Sequence, residues 1–294
     1  RLRQTLLRVF GTHRLEALTA NNRGNGRTRV HASLEGEKVP LGQAEMEFHF
    51  TTGREEDGLH ISTMPNRFLP GNAVFISPRE VLSIYPCYMQ AGKRYPELLD
   101  SASWELCRAL EEEPEGNVPG TEGMRYVVRI IEGLLRGKLM RENGRFYLQR
   151  PGQEAMELNL VAEGFKRIGT LGLLVGNGSV RPGTTLFWDE PEMNINATHL
   201  KTVVQVIMGL AHEGVQVLLT THSLFLLREL VIQLSEPRHH RMTRRFFGLQ
   251  PPEDCAQGVR VSAGGALEEI DPIESLEAEM EQADRYLQFS GDRM

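Results

Sequence analysis

The sequence predicts an α/β fold: a parallel sheet with flanking helices, together with an antiparallel β meander and a helical insertion. Three observations predict it. Beyond residue 160, apolar runs of strand length alternate with segments of helical period, the pattern of a parallel sheet. Before residue 80 the apolar runs are short, partly alternating and separated by Gly-rich turns. Between these regions lie segments with broad helical apolar faces.

Taken in order, Arg1 to Leu18 has Leu2, Leu6, Leu7 and Phe10 at helical spacing and begins without a capping residue, which predicts the later part of a helix. Val30–Leu34, Glu45–Phe50 and Leu59–Thr63 are the meander strands, parted by Gly24-Asn25-Gly26, Gly53 and Asp57-Gly58. Ala73–Ile76 is a further short strand, stopped by Ser77-Pro78. Helical period returns over Pro96–Glu113 and Gly120–Lys138, the second with Val127, Val128, Ile130, Ile131, Leu134 and Leu135 as its apolar face. Residues 138–148, KLMRENGRFYL, predict a hairpin about Asn143-Gly144, because a type I′ turn needs positive φ at both central residues. A helix over Ala162–Val175, a buried strand over Thr184–Trp188, a helix over Thr198–His212 and a strand over Val215–Thr220 complete the alternation. The helix over Thr198–His212 carries Leu200, Val203, Val204, Ile207, Leu210 and Ala211 on one side.

Composition sets the outer limits. A chain of 294 residues, 40% hydrophobic and 24% charged, is long enough for one large α/β domain or two smaller ones. No stretch approaches the roughly 20 apolar residues of a membrane span. The opening residues RLRQTLLRVFG also lack a signal-peptide apolar region, so a cytoplasmic location without a membrane partner is expected. Cys87, Cys107 and Cys255 lie far apart with no CxxC spacing and are expected to be reduced thiols. A net charge of -6 argues against a uniformly basic nucleic-acid binder and leaves a local basic patch open.

Ligands of open parallel sheets collect at the carboxyl ends of the strands, which directs attention to Asp189-Glu190 and Thr221-His222-Ser223. A carboxylate there can hold Mg²⁺ through hard oxygen ligands, while its neighbour orients or deprotonates an attacking water. From the end of the next strand, His222 can steady a transferring γ-phosphoryl group by hydrogen bonding. Alone, the acidic pair also reads as a solvated strand end and His222 as a structural histidine. The order strand, Asp-Glu, helix, strand, His favours a nucleotide site.

On these motifs the sequence resembles the ATP-binding-cassette superfamily in its structural-maintenance-of-chromosomes and overcoming-lysogenization-defect branch. Its closest resemblance is to the bacterial AAA-family ATPases built on that head. Asp189-Glu190-Pro191-Glu192 resembles Walker B, Thr221-His222-Ser223 the switch-histidine motif, and Val161-Ala162-Glu163-Gly164-Phe165-Lys166 stands in the place of the signature motif. Met193-Asn194-Ile195-Asn196 stands where the D-loop belongs. The resemblance is specific over Leu160–Leu230 and looser over Arg1–Tyr147, where RGNGR, FISPRE and ENGRFYL carry it.

The resemblance implies an ABC-type P-loop NTPase head using ATP and Mg²⁺. Asp189 is then the metal residue, Glu190 and His222 are catalytic, and Ala162, Glu163, Gly164, Phe165, Lys166, Asn194 and Asn196 contact nucleotide. It also implies a head-to-tail homodimer or higher oligomer, in which the positive N-terminal end of one signature helix meets the γ-phosphate held by the other subunit. On this expectation residues 1–294 form one head. Residues 1–90 are its β-rich lobe, 91–150 a helical insertion and hairpin, 151–235 the lobe with signature, Walker B and switch histidine, and 236–294 a basic loop and acidic C-terminal helix.

The sequence departs from the pattern in three places. Ala162 replaces the usual signature Ser, removing a hydroxyl contact to phosphate. Ile76-Ser77-Pro78-Arg79-Glu80 stands near the glutamine-loop position without a Gln. No GxxxxGK[ST] occurs, so the phosphates lack their amide cradle and lysine. The nearest imitation, Asn21 to Thr28, is followed by a strand pattern rather than a helix and reads as a plain Gly-rich turn. The expectation is that the P-loop strand and loop lie upstream of residue 1, and that residues 1–294 alone bind ATP weakly or not at all.

Two further segments remain. Arg238-His239-His240-Arg241 with Arg244-Arg245 reads as a solvated charged loop, with nucleic acid or an acidic partner as the alternative, and Phe246-Phe247 as strand core. Asp271 to Phe289 reads as an acidic amphipathic helix whose Leu276, Met280, Ala283 and Leu287 pack on their own domain, with a partner as the alternative. No Toprim-like DxD pair follows His222. The function expected is an ATP-dependent switch that controls a protein effector such as a nuclease or toxin, in a setting of bacterial anti-phage defence. A nucleotide-gated scaffold without turnover and a DNA-repair head are the alternatives.

Overall fold

The computed structural model describes residues 27–33, 45–51, 59–65, 72–95, 99–112, 120–250, 259–270 and 274–291. The helix expected over Arg1–Leu18, the turns at Gly24-Asn25-Gly26, Gly53 and Asp57-Gly58, and Cys255 lie outside the described residues. Elements run in the order β1 (Arg27–Ser33), β2 (Glu45–Thr51), β3 (Leu59–Thr63), β4 (Ala73–Ile76), α1 (Tyr85–Arg94), α2 (Ser101–Glu111), α3 (Glu122–Leu135), β5 (Lys138–Glu142), β6 (Arg145–Gln149) and β7 (Met156–Glu157). There follow α4 (Glu163–Gly176), β8 (Thr185–Asp189), α5 (Ala197–His212), β9 (Gln216–Thr220), α6 (Leu224–Leu234), β10 (Phe246–Gln250), β11 (Arg260–Gly264) and α7 (Glu274–Gly291).

The chain divides into two compact units, 1–71 with 251–260 and 72–250 with 261–294. In the first, β1, β2 and β3 form the expected antiparallel meander. Its register pairs Val30 with Phe48 and Phe48 with Ile61. Phe48 and Phe50, two residues apart and so on one face of the pleat, are its buried apolar residues.

In the second unit β4, β8 and β9 form a parallel sheet in the order β4-β8-β9. Val74, Ile76, Leu186 and Trp188 point inward and are buried. The intervening Phe75, Phe187 and Leu218 share one register row on the opposite face, and each is about 40% exposed. The strand expected to be buried is buried on one face. Its period-2 alternation sends Phe187 away from the core that Leu186 and Trp188 share with buried residues of α2, α3, α4 and α5.

Those helices are set by caps and close approaches. Thr121 Oγ1 accepts from Met124 N at 3.1 Å to start α3, and Arg136, at φ +51, ends it in the left-handed conformation. The ordered helix is thus shorter than the Gly120–Lys138 pattern, and Lys138 already belongs to β5. Met124, Val127, Ile131 and Leu135 form its buried stripe, with α3 lying on both α4 and α5. A Cβ on Gly209 of α5 would come within 2.7 Å of Val127, so glycine is what lets α3 and α5 approach. Asp100 accepts from the amides of Ala102 and Ser103 and starts α2 at Ser101, later than the helical pattern itself. The β5–β6 hairpin turns at Asn143 and Gly144, with φ +50 and +72, as the Asn-Gly pair requires.

Three surface expectations change. Phe246 packs against the core, but Phe247 lies on the other face of β10 and is exposed, its ring 5.8 Å from the Arg245 guanidinium carbon. His239 of the basic run is buried and hydrogen-bonds His212 at 2.7 Å, so the run is partly anchored rather than wholly solvated. On α7, Met280 and Leu287 are exposed, and the helix is tied instead by Glu279 to Arg228, at 2.6 Å. Its apolar stripe is not a core face. Cys107 is buried and Cys87 is on the surface, both as free thiols.

Candidate functional site

The carboxyl ends of β8 and β9 lie side by side, with Asp189 in register with Thr220. Thr220 Oγ1 donates to the Asp189 carboxylate, and the Glu190 amide donates to Thr220 O at 3.1 Å. That bond carries the strand pairing one residue past β8, after which Glu190 takes φ +47, unusual for any residue but glycine. The turn swings the Glu190 side chain to His222, whose Nδ1 lies 3.0 Å from Glu190 Oε1. Glu190 is about one-quarter exposed and His222 mostly exposed, so the pair opens to solvent on the histidine side. Thr221 Oγ1 donates to Glu192 Oε1 at 2.5 Å and accepts from Ser223 N at 3.0 Å. Ser223 then caps α6 by accepting from Leu226 N. Four consecutive residues, Thr220 to Ser223, are thus fixed by side-chain hydrogen bonds or by the cap they form.

Beyond Glu190 the chain makes two tight steps, Met193 N to Glu190 O and Ile195 N to Glu192 O, each at 3.0 Å, with Asn194 at φ +60. Asn196 is committed to its own helix, accepting from Thr198 N at 3.0 Å as the N-cap of α5. The first turn of α4 meets this loop. A Cβ on Gly164 would fall 2.2 Å from Asn194 O, which accounts for glycine at that position. Ala162 is the N-cap of α4 and makes no side-chain cap, as expected from the missing hydroxyl. The amides of Glu163 and Gly164 belong to the first helical turn, where no intrahelical acceptor exists. Phe165 packs by His199, ring centroids 5.7 Å apart. Lys166 points inward, its Nζ donating to Ser83 Oγ at 2.9 Å. Of the residues singled out in the sequence, Asp189, Glu190 and His222 form one cluster and Gly164 and Asn194 another contact. Lys166 and Asn196 turn toward their own scaffold.

Sequence reading passed over Arg167. It is buried within α4, yet its guanidinium donates to Asp189 O at 3.0 Å and to Met193 O at 3.1 Å. Burial lowers its pKa below the ordinary arginine value, while the charges of Glu163, Glu190, Glu192 and Asp189 oppose that shift. An arginine heading the apolar run Ile168 to Val175 was the available signal.

Among the described residues no group of three or more His, Cys, Asp or Glu side chains is placed to hold a metal ion. The oxygen donors of Asp189 and its hydroxyl partner nevertheless fit Mg²⁺, which takes one or two protein carboxylates and completes its shell with water and phosphate.

No curated protein matches the chain. Solved structures similar to it include an SMC head domain from Thermotoga maritima, 13% identical over 70% of this chain and 67% of that one, with a TM-score of 0.34. An Smc head bound to the C-winged helix domain of ScpA is 12% identical over 91% of this chain and 86% of that one, TM-score 0.47. A third is an Smc head with an extended coiled coil, bound to the C-terminal domain of ScpA derived from Pyrococcus furiosus. It is 13% identical over 95% and 86% of the two chains, TM-score 0.45. The family described as "AAA domain, putative AbiEii toxin, Type IV TA system" matches residues 74–228, more than half of the chain and the whole of the site just described, and the chain belongs to this family of AAA ATPase domains.

Proposed function

We propose that the chain is the ATP-hydrolysing part of a molecular switch, in which ATP closes two heads and hydrolysis reopens them. The contact between His222 Nδ1 and Glu190 Oε1 carries this reading, because it joins a base and a phosphate-facing imidazole at two adjacent strand ends. Glu190 is the general base for the attacking water. His222, held through Nδ1, leaves Nε2 to face the γ-phosphate. Asp189, fixed by Thr220, is the residue that would hold Mg²⁺, and the ion would supply charge neutralisation on the phosphates.

Gly164 and Glu163 present the free amides at the head of α4 to the nucleotide of a second subunit, which makes a homodimer or higher oligomer the working unit. A cytoplasmic protein effector, a nuclease or toxin in an anti-phage setting, is the partner that such a switch would hold or release. The testing experiment compares full-length protein with its Glu190→Gln variant. Retained Mg-ATP binding, a persistent ATP-bound dimer and turnover lowered by about 10²-fold support the reading. Parental turnover in Glu190→Gln overturns it.

A further inference from the structure

Arg167 spans the loop that carries Glu190. One guanidinium nitrogen holds Asp189 O, where β8 ends, and the other holds Met193 O, four residues later. Between these two anchors the backbone must pass through the left-handed conformation of Glu190, and beyond them Asn194 adopts another. Positive φ at two non-glycine residues within five positions is costly and persists where surrounding structure over-determines it. Arg167 supplies that constraint from one side, because a planar fork can satisfy two carbonyls at fixed separation.

The same helix meets the loop a second time. Gly164, one turn before Arg167 on α4, leaves no room for even a methyl group against Asn194 O. Residues 164 and 167 share a helical face, so α4 touches the loop through a direct backbone contact and through a two-pronged clamp. The head of α4 and the Glu190 loop therefore form one mechanical piece. Arg167 Nε is buried and without a hydrogen-bond partner among the described residues, so the hydrogen bonds of the side chain are made by its two terminal nitrogens.

We propose that Arg167 is a positioning residue that couples α4 to Glu190, so that any displacement of the head of α4 is transmitted to the general base of the same subunit. The coupling rests on the switch reading given above. There, the head of α4 contacts nucleotide held by the second subunit, so occupancy of one site sets the geometry of Glu190 in the other. Hydrolysis in the dimer is then cooperative, and Arg167 carries the cooperativity without touching nucleotide.

Arg167→Lys and Arg167→Gln in the full-length protein test this. A lysine keeps the charge but presents no planar fork, so it should not rescue. The expected result is an ATP-dependent dimerisation midpoint within about threefold of the parent, kcat lowered roughly 10- to 100-fold, and a Hill coefficient for hydrolysis near 1 in both variants. Parental kcat and Hill coefficient in Arg167→Lys overturn the proposal, as does a parent that itself hydrolyses ATP without cooperativity. Hydrogen exchange without nucleotide provides an arm independent of ATPase activity: the Met193 and Ile195 amides should exchange faster in either variant, and unchanged exchange removes the clamp. A parent that fails to hydrolyse ATP defeats the switch reading while leaving this arm to judge the clamp. Should both variants fail to fold, exchange in the parent decides. Residues 163–167 and 189–194 must then gain protection at the same ATP concentration, and separate midpoints reject coupling.

Discussion

His222 and Glu190 touch, Nδ1 to Oε1 at 3.0 Å, although α5 and β9 intervene in the chain between them. Two residues in contact that act on one transition state should not contribute independently. His222→Ala and Glu190→Gln should each lower kcat by about 10²-fold with smaller changes in KM, and the double variant should lose far less than the product of the two effects. Steady-state kinetics on the four proteins of the cycle measures this. Strict multiplicativity would show that the contact has no catalytic meaning.

Gly164→Ala places a methyl carbon 2.2 Å from Asn194 O and 2.7 Å from Asn194 C, backbone atoms that no side-chain rotation can move away. A loss of about 1–3 kcal/mol of stability is expected, typical of overpacking, with a lower denaturation midpoint in urea. Gly133→Ala, with open space around its Cβ, is the control and should be neutral or stabilising. Equal midpoints for Gly164→Ala and the parent would mean that the α4 approach is looser than its geometry.

Buried His239, hydrogen-bonded to the exposed His212, makes stability depend on pH. Burial lowers the His239 pKa first, the His212 and Arg238 charges add to it, and Glu236 opposes them. The folded chain therefore favours neutral His239, whereas the unfolded chain protonates at the ordinary value of about 6.5. Stability from this group is present above that value and is lost as pH falls through it toward the lower folded pKa. Urea midpoints should drop between pH 7.5 and pH 5.5, and His239→Gln should flatten the drop. An identical slope in that variant would remove His239 as its source.

Burial, reinforced by Glu80 and Asp100, raises the Cys107 thiol to about 12. At pH 8 a maleimide should label Cys87 and leave Cys107 untouched until the chain unfolds, as peptide mass spectrometry would show. Rapid labelling of Cys107 in folded protein would mean that the α2 core opens readily.

The parts of the fold visible in sequence are those with a local cause. Strand-helix alternation located β8, α5 and β9 to within one or two residues, and Asn143-Gly144 fixed its hairpin because the backbone there admits few residue types. Asp189, Glu190 and His222 were legible because a strand end is a sequence position as much as a spatial one. Arg167 was not, since its carbonyl partners at Asp189 and Met193 reach it only through tertiary packing. The same limit hid Lys166 turning to Ser83 and His239 to His212. Period alone marked Leu287 as apolar-faced, but only packing decides whether that face is covered.

The parallel pairing of β4 with β8 has a kinetic consequence. Val74 meets Leu186 across more than a hundred intervening residues, so during translation β4 leaves the ribosome long before its neighbour exists. At about 5–20 residues per second that interval is roughly 5–20 s. Throughout it, Val74, Phe75 and Ile76 form a bare apolar edge, while α3 and the β5–β6 hairpin can already settle through local contacts. The strand β8, which ends at Asp189, thus pairs with β4 late and before β9 has been made. Ribosome-stalled chains ending before residue 216 should therefore remain protease-sensitive around β8, and chaperones should engage the nascent chain most strongly in that window.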